Sequence, residues 1–342
     1  MAENETPQYI VSTNPHAHSG SSVRGIMLDV IIALMPAMLM SFYFFGWQAV
    51  RLVTLCVSAS VLIEALCRKM MGRDLGIGDL SAIVTGLLLA FNLPPSLSSW
   101  MAIVGCVFAI AIAKQVFGGI GYNPFNPALV GRVALLISFP VAMTRWPNAL
   151  NPERWTNLSW VDATTTATPL GALKEAVKSG GGVPEQLTVM DNHTLWNMLF
   201  GNMNGCIGEV SALALLLGGA YLLWRRTITW HIPVAYIGTV AVFAAVLRTV
   251  NPDANVPVLY HVLSGGLMLG AIFMATDMVT SPLTTKGMLI FGAGCGIITM
   301  VIRRWGGYPE GVSFAILLMN SITPLINRAT RPRVFGHGKV KS

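Results

Sequence analysis

Charge is scarce in this chain. Only 11% of its 342 residues are Asp, Glu, Lys or Arg, against about 25% in an ordinary soluble domain, while 54% are hydrophobic and the mean hydropathy is +0.62. That deficit, spread over repeated long apolar runs, excludes a soluble globule and fits an all-α polytopic membrane protein. Cysteines are few and scattered. Cys56, Cys67, Cys106, Cys206 and Cys295 form no C-x-x-C pair. A structural zinc site or an iron–sulfur cluster held by this chain alone is thereby disfavoured, and buried small side chains are the plain reading. The six histidines do not cluster, and no Ser/His/Asp arrangement is present. "GGIG" lacks the Lys-Ser/Thr of a P-loop and the ribose acid of a dinucleotide site. No catalytic residue and no metal site is expected. The net charge of +7 would suit nucleic acid in a soluble chain. In one this apolar it reads as membrane topology, with no nucleic-acid partner.

What the chain has is hydrophobic length. Ten segments are predicted, near 26–46, 48–67, 80–94, 98–116, 127–143, 206–224, 228–249, 258–276, 287–303 and 311–327. Several fall short of the ~20 residues that span a bilayer. They adjoin Pro- and Gly-rich stretches ("FNLPPS", "GGIGYNPFNP", "GGYPEG") that suggest broken or half-membrane helices. Residues 1–24 are polar without an apolar h-region, so they read as a cytoplasmic tail rather than a signal peptide. Basic residues at Arg68, Lys69, Arg73, Arg225 and Arg226, and the basic tail 328–342, fall on the cytoplasmic side. Arg303 and Arg304 break that rule. The stretch 144–205 is then an outer-side loop between a first membrane unit, 25–143, and a second, 206–327.

The two units resemble each other. Gly25, Asp29 and Val30 match Gly205, Glu209 and Val210 at an offset of 180, which Gly86 and Gly266 keep. Pro95 and Pro282 are 187 apart, and a seven-residue insertion in the second copy, around "FMATDMV", would explain the change. Five segments per copy is odd, so the repeats are expected to be inverted, with a site at their interface. Chance matches among abundant Gly and Pro are the bland alternative.

Acids in or beside apolar runs are Asp29, Glu64, Glu209, Asp277 and Glu310. A charge in hydrocarbon is costly and usually faces the bundle interior or a water path. Asp29 and Glu209, paired by the repeat, are the ion-path candidates; helix-start capping is the other reading. In "GGIGYNPFNPALVGR" (118–132), Pro127 suits a first helical turn with Asn126 as cap. Such a buried helix start serves either a cofactor or packing.

One stretch remains, "VDATTTATPLGALK" (161–174), with three successive threonines and then Thr168 before Pro169. Alone it reads as a turn. Its order resembles the flavinylation motif of covalent-FMN membrane proteins: Asp162, two residues, Thr165, a small residue, Ala167, then Thr168. Thr166 stands where Gly or Ser is usual. "NPHAHSGSSVRGIMLDVIIALMPA", "GGIGYNPFNPALVGR", "GCIGEVSALALLLGGAYLL", "FMATDMVTSP" and "GGYPEGVSFAILLMNSITPLINR" extend the likeness over nearly the whole chain. They are similar to the D subunits of Rnf electron-transport complexes, homologues of the B subunit of sodium-pumping NADH:quinone oxidoreductases.

The resemblance implies about ten transmembrane helices in two inverted five-helix repeats, related in fold to urea transporters. It implies a flavoprotein subunit of a ferredoxin:NAD+ oxidoreductase that couples electron relay to Na+ or H+ movement. FMN would be joined through its phosphate to Thr168 by a flavin transferase, and some members also hold non-covalent riboflavin. The implied partners are the A, B, C, E and G subunits of the complex, the last of them carrying a second covalent FMN. The implied location is the bacterial inner membrane, with both termini cytoplasmic and the flavin loop periplasmic. A channel or transporter of the same fold without redox chemistry is the competing class.

Overall fold

Backbone amides facing hydrocarbon have no water to bond, so a chain this apolar must satisfy them within helices. The computed structural model describes residues 22–332 apart from 75, 148, 151–154, 156–169, 172, 175–191, 203, 252–254 and 309. The first five membrane helices are α1 (Val23–Phe45), α2 (Trp47–Met70), α3 (Ser81–Phe91), α4 (Ser99–Cys106) and α5 (Pro127–Ser138), with α4 continuing in π-helical form over Val107–Gln115. The second five are α6 (Ala212–Trp224), α7 (His231–Val250), α8 (Val258–Leu263), α9 (Thr285–Trp305) and α10 (Val312–Ala329). A 3-10 turn, Ile207–Glu209, leads into α6, and α8 restarts as Leu267–Leu269 and π-helical Gly270–Met274. Five of these, α1, α2, α7, α9 and α10, are long and apolar enough to cross a membrane. The rest are shorter, as predicted for α3 and α5, whereas α6 and α8 fall short of the 206–224 and 258–276 predicted for them.

Caps fix the helix starts. Ser22 Oγ accepts from Gly25 N at 3.1 Å, and Thr284 Oγ1 from Gly287 N at 3.1 Å. Asn126 Oδ1 takes the N–H groups of Ala128 and Leu129 at 3.1 and 3.4 Å, with Pro127 at the first helical position, as its sequence requires. The segment predicted to run from 127 to 143 stops at Ser138 instead. Pro140 pushes Phe139 to φ −132°, ψ 57°, out of helical space. The segment predicted over 258–276 is interrupted at Ser264–Gly266, where Gly265 and Gly266 hold φ of +70° and +67°.

The same pairs pack in both halves. α2 lies on α3 as α7 lies on α8, and α4 with its π-helical end packs on α5 as α9 packs on α10. Across the halves, α1 runs along α6. Gly218 makes that crossing possible, since a Cβ there would strike Ala33 O. Arg303, expected in an outer connection, is buried instead. Its Nη1 donates to His261 O at 2.6 Å and its Nη2 to Ser264 O at 3.0 Å and Gly265 O at 3.2 Å. These carbonyls are freed where α8 breaks, so Arg303 answers a local backbone need rather than a topological one.

Candidate functional site at the repeat seam

The seam between the halves is where the helix breaks of both repeats meet. Ile207 N donates to Leu93 O at 3.1 Å, just past the end of α3. Ser41 Oγ on α1 donates to Ile207 O at 2.5 Å. Asn126 Nδ2 reaches Met274 O at 3.2 Å, and Asn92 Nδ2 reaches Met274 Sδ at 3.5 Å. Each half therefore finishes the hydrogen bonding that the other half's break leaves open.

At one end of the seam lies a cavity of about 340 Å³ between α1, α3, the start of α5 and the 275–284 break. Its wall is largely apolar, with Val30 and Phe273, and carries a few polar groups, Thr85, Asn126, Thr276 and Asp277. Asp277 is tied down by Thr280 Oγ1 at 3.1 Å. Asp29 lies on α1 nearby, accepting from Tyr221 Oη at 3.0 Å and from Arg225 Nε at 3.3 Å. Arg225 is half exposed, so this pair is a screened one.

At the other end Arg132 of α5 is only 5% exposed. Its Nη1 donates to Asn92 Oδ1 at 2.6 Å, and its Nη2 to Cys206 Sγ at 3.6 Å and to Glu310. Glu209 Oε1 stands 3.8 Å from Arg132 Nη2 and has no hydrogen-bond partner among the described residues. Asp29 and Glu209, equivalent in the repeat, thus sit at the two ends of α6 and its leading turn, with different partners. Cys206, Glu209 and Glu310 bring their ligand atoms within 4.8 Å of one another. Arg132 pairs with one carboxylate of that group, lies beside the other and touches the thiol, which supplies the positive charge a metal would bring.

A second buried charge network lies within the first half. Glu64 of α2 accepts from Lys114 Nζ at 2.7 Å, from Gln115 Nε2 at 3.0 Å and from Arg68 Nη2 at 2.8 Å. Lys114 also donates to Ser81 Oγ at 2.6 Å, and Arg68 to Asp79 at 3.2 Å. The π-helical stretch of α4 carries both Lys114 and Gln115, a frequent location for functional side chains.

Leu170, two residues after Thr168, is buried in a small apolar cluster with Met198, Val256 and Tyr260. Lys174 Nζ donates to Tyr308 O at 2.7 Å, close to Glu310. Asp162, Thr165 and Thr168 themselves lie outside the described residues.

Residues 10–336 match the profile of the NQR2, RnfD, RnfE family. The chain belongs to this family. It is 47% identical over 334 residues to the D subunit of the Na+-translocating ferredoxin:NAD+ oxidoreductase complex of Acetobacterium woodii, covering 97% of this chain and 96% of the relative. It is 44% identical to the D subunit of the proton-translocating ferredoxin:NAD+ oxidoreductase complex of Clostridium ljungdahlii, covering 98% and 99%. It is 39% identical to the D subunit of the ion-translocating oxidoreductase complex of Escherichia coli, covering 96% and 99%. For a member of the NQR2, RnfD, RnfE family, the seam adds what the acids alone did not show. Arg132, Lys114 and Asn92 are functional candidates that an inventory of carboxylates missed. A lone cation inside "ALVGRVALL" or "AIAIAKQVF" was the available signal.

Proposed function

We propose that the chain is the D subunit of an ion-translocating ferredoxin:NAD+ oxidoreductase, relaying electrons through FMN joined by its phosphate to Thr168. The carrying observation is the full-length match at 47% and 44% identity to D subunits so named. The A, B, C, E and G subunits are its partners, and a flavin transferase recognises Asp162, Thr165 and Thr168. Bound flavin supplies the redox chemistry. The protein's part is to hold Leu170 and Lys174, just past the acceptor, against the second repeat. The cation crosses at the seam, with Glu209 and Asp29 as carboxylates toward its two ends.

The 340 Å³ cavity is the place for a non-covalent riboflavin. Its size and its apolar wall with few polar groups suit a flat ring system with polar edges. Thr85 and Thr276 donate their hydroxyl protons to Ser81 O and Ile272 O, which leaves their oxygens as acceptors for that edge. Filling the space with Val30→Trp is expected to remove the riboflavin released on denaturation while leaving the covalent flavin in place. Unchanged riboflavin release would move the site elsewhere.

In this reading the chain lies in the bacterial inner membrane with its flavin loop periplasmic and both termini cytoplasmic. A cysteine placed at Ser179, in a background lacking the five native cysteines, is expected to react with an impermeant thiol reagent in intact cells whose outer membrane has been permeabilised. Labelling only after lysis would reverse the orientation.

A further inference from the structure

Arg132 has a small cavity on one side and packed side chains on the other. On one side is a small cavity of about 30 Å³ bordered by Arg132, Thr144, Trp146, Tyr308, Glu310 and Ser313, room for roughly one water. On the other are Cys206 Sγ, 3.6 Å from the guanidinium, and Asn92. Beyond them Met274 and Asn126 continue the polar contacts to the large cavity. Arg132 therefore stands between the small cavity and a packed line of buried contacts that leads to the large one.

The guanidinium has two seats. Arg132 is paired with Glu310, whose side chain is 14% exposed at the small cavity. The more deeply placed Glu209 side chain, 8% exposed, has its Oε1 3.8 Å from Arg132 Nη2 and without a donor among the described residues. A buried acceptor left unbonded is costly. A shift of the guanidinium by about 1 Å would bring that oxygen within hydrogen-bond distance. Gly266 leaves room on this side, because a Cβ there would lie 2.6 Å from Glu209 Oε1.

We propose that Arg132 is the tethered cation that closes the Glu310 end of the seam. It exchanges between Glu310 and Glu209, and the translocated monovalent cation passes by taking the carboxylate that Arg132 leaves. This rests on the reading that the seam is the cation's route. An arginine serves better than a lysine, because its planar fork pairs with one carboxylate while still holding Asn92.

Cys206 is a built-in reporter, lying directly behind the guanidinium. The purified whole complex is treated with a small cationic methanethiosulfonate, and labelling of the Cys206 peptide is followed by mass. In the parent the open form is a minor state of about 0.1–10%, so Arg132→Gln is expected to speed labelling by about tenfold or more. Glu310→Gln should speed it as well, because Arg132 then settles on Glu209. It also serves where Arg132→Gln fails to assemble. In sealed proteoliposomes, passive flux of Na+ and of protons is measured separately without ferredoxin. Arg132→Gln should raise the flux of the translocated cation, and Glu209→Gln should lower cation uptake per NAD+ reduced. Parent-rate labelling of Cys206 in both Arg132→Gln and Glu310→Gln complexes overturns the proposal. Faster labelling with cation flux unchanged in every variant overturns it too, by removing the seam as the route, and leaves the subunit assignment and the covalent flavin standing.

Discussion

Thr168→Ala yields a chain that inserts and assembles but carries no covalent flavin. The phosphate ester needs a hydroxyl at that position, and alanine has none. The loss should be complete, because the neighbouring Thr164, Thr165 and Thr166 do not stand in the acceptor's place relative to Asp162 and Ala167. Stability should hardly move, since substitutions in a surface loop, as the sequence predicts here, usually stay within about 0.5 kcal/mol. Thr166→Gly, which restores the residue usual in the motif, should be labelled as the parent is. In-gel fluorescence of the denatured chain reads all three, and a fluorescent Thr168→Ala band would place the acceptor elsewhere.

Glu64→Ala is expected to be the most destabilising single substitution in the first half. Glu64 and Lys114 side chains are 2% and 3% exposed, and Arg68 is only 14% exposed. Removing the carboxylate leaves a buried ammonium and a largely buried guanidinium facing each other. Breaking a buried pair in this way costs about 3–5 kcal/mol, a large share of the 5–15 kcal/mol that usually holds a domain together. Arg68 keeps Asp79 and Lys114 keeps Ser81, which places the cost toward the lower end. Replacing Glu64 and Lys114 together with leucine should recover much of the loss, because no unpaired ammonium then remains. Thermal unfolding in detergent separates the cases. A single substitution as stable as the parent, or a pair no better than the single, would mean that the network does not hold α2 to α4.

Hydrophobic length and punctuation made most of the fold legible. Each of the ten predicted segments contains a helix, because apolar runs in lipid must be helical. Asn126-Pro127 marked its helix start correctly, since capping is local chemistry. Ends were harder. Pro140 stopped α5 early, and the Gly265-Gly266 pair split α8, although both lie in runs whose hydropathy continues through the break. At the site, the acids stood out and their partners did not. Arg132, Glu209 and Glu310 are far apart in sequence, and only the packing of the two halves brings them together. Arg303 looked like a misplaced topological charge because sequence shows an arginine's charge but not the carbonyls it serves. The pairing of Asp29 with Arg225 likewise depends on α1 running beside α6, which Gly218 permits but does not announce.

The most direct measurement is the mass of the purified chain after co-expression with its flavin transferase, followed by peptide mapping of the modified form. The expected chain is heavier by one FMN joined with loss of water, and the added mass maps to Thr168. An unmodified chain from cells in which the partner flavoprotein is fully labelled would contradict the electron-carrying role and leave a channel or transporter of the same fold.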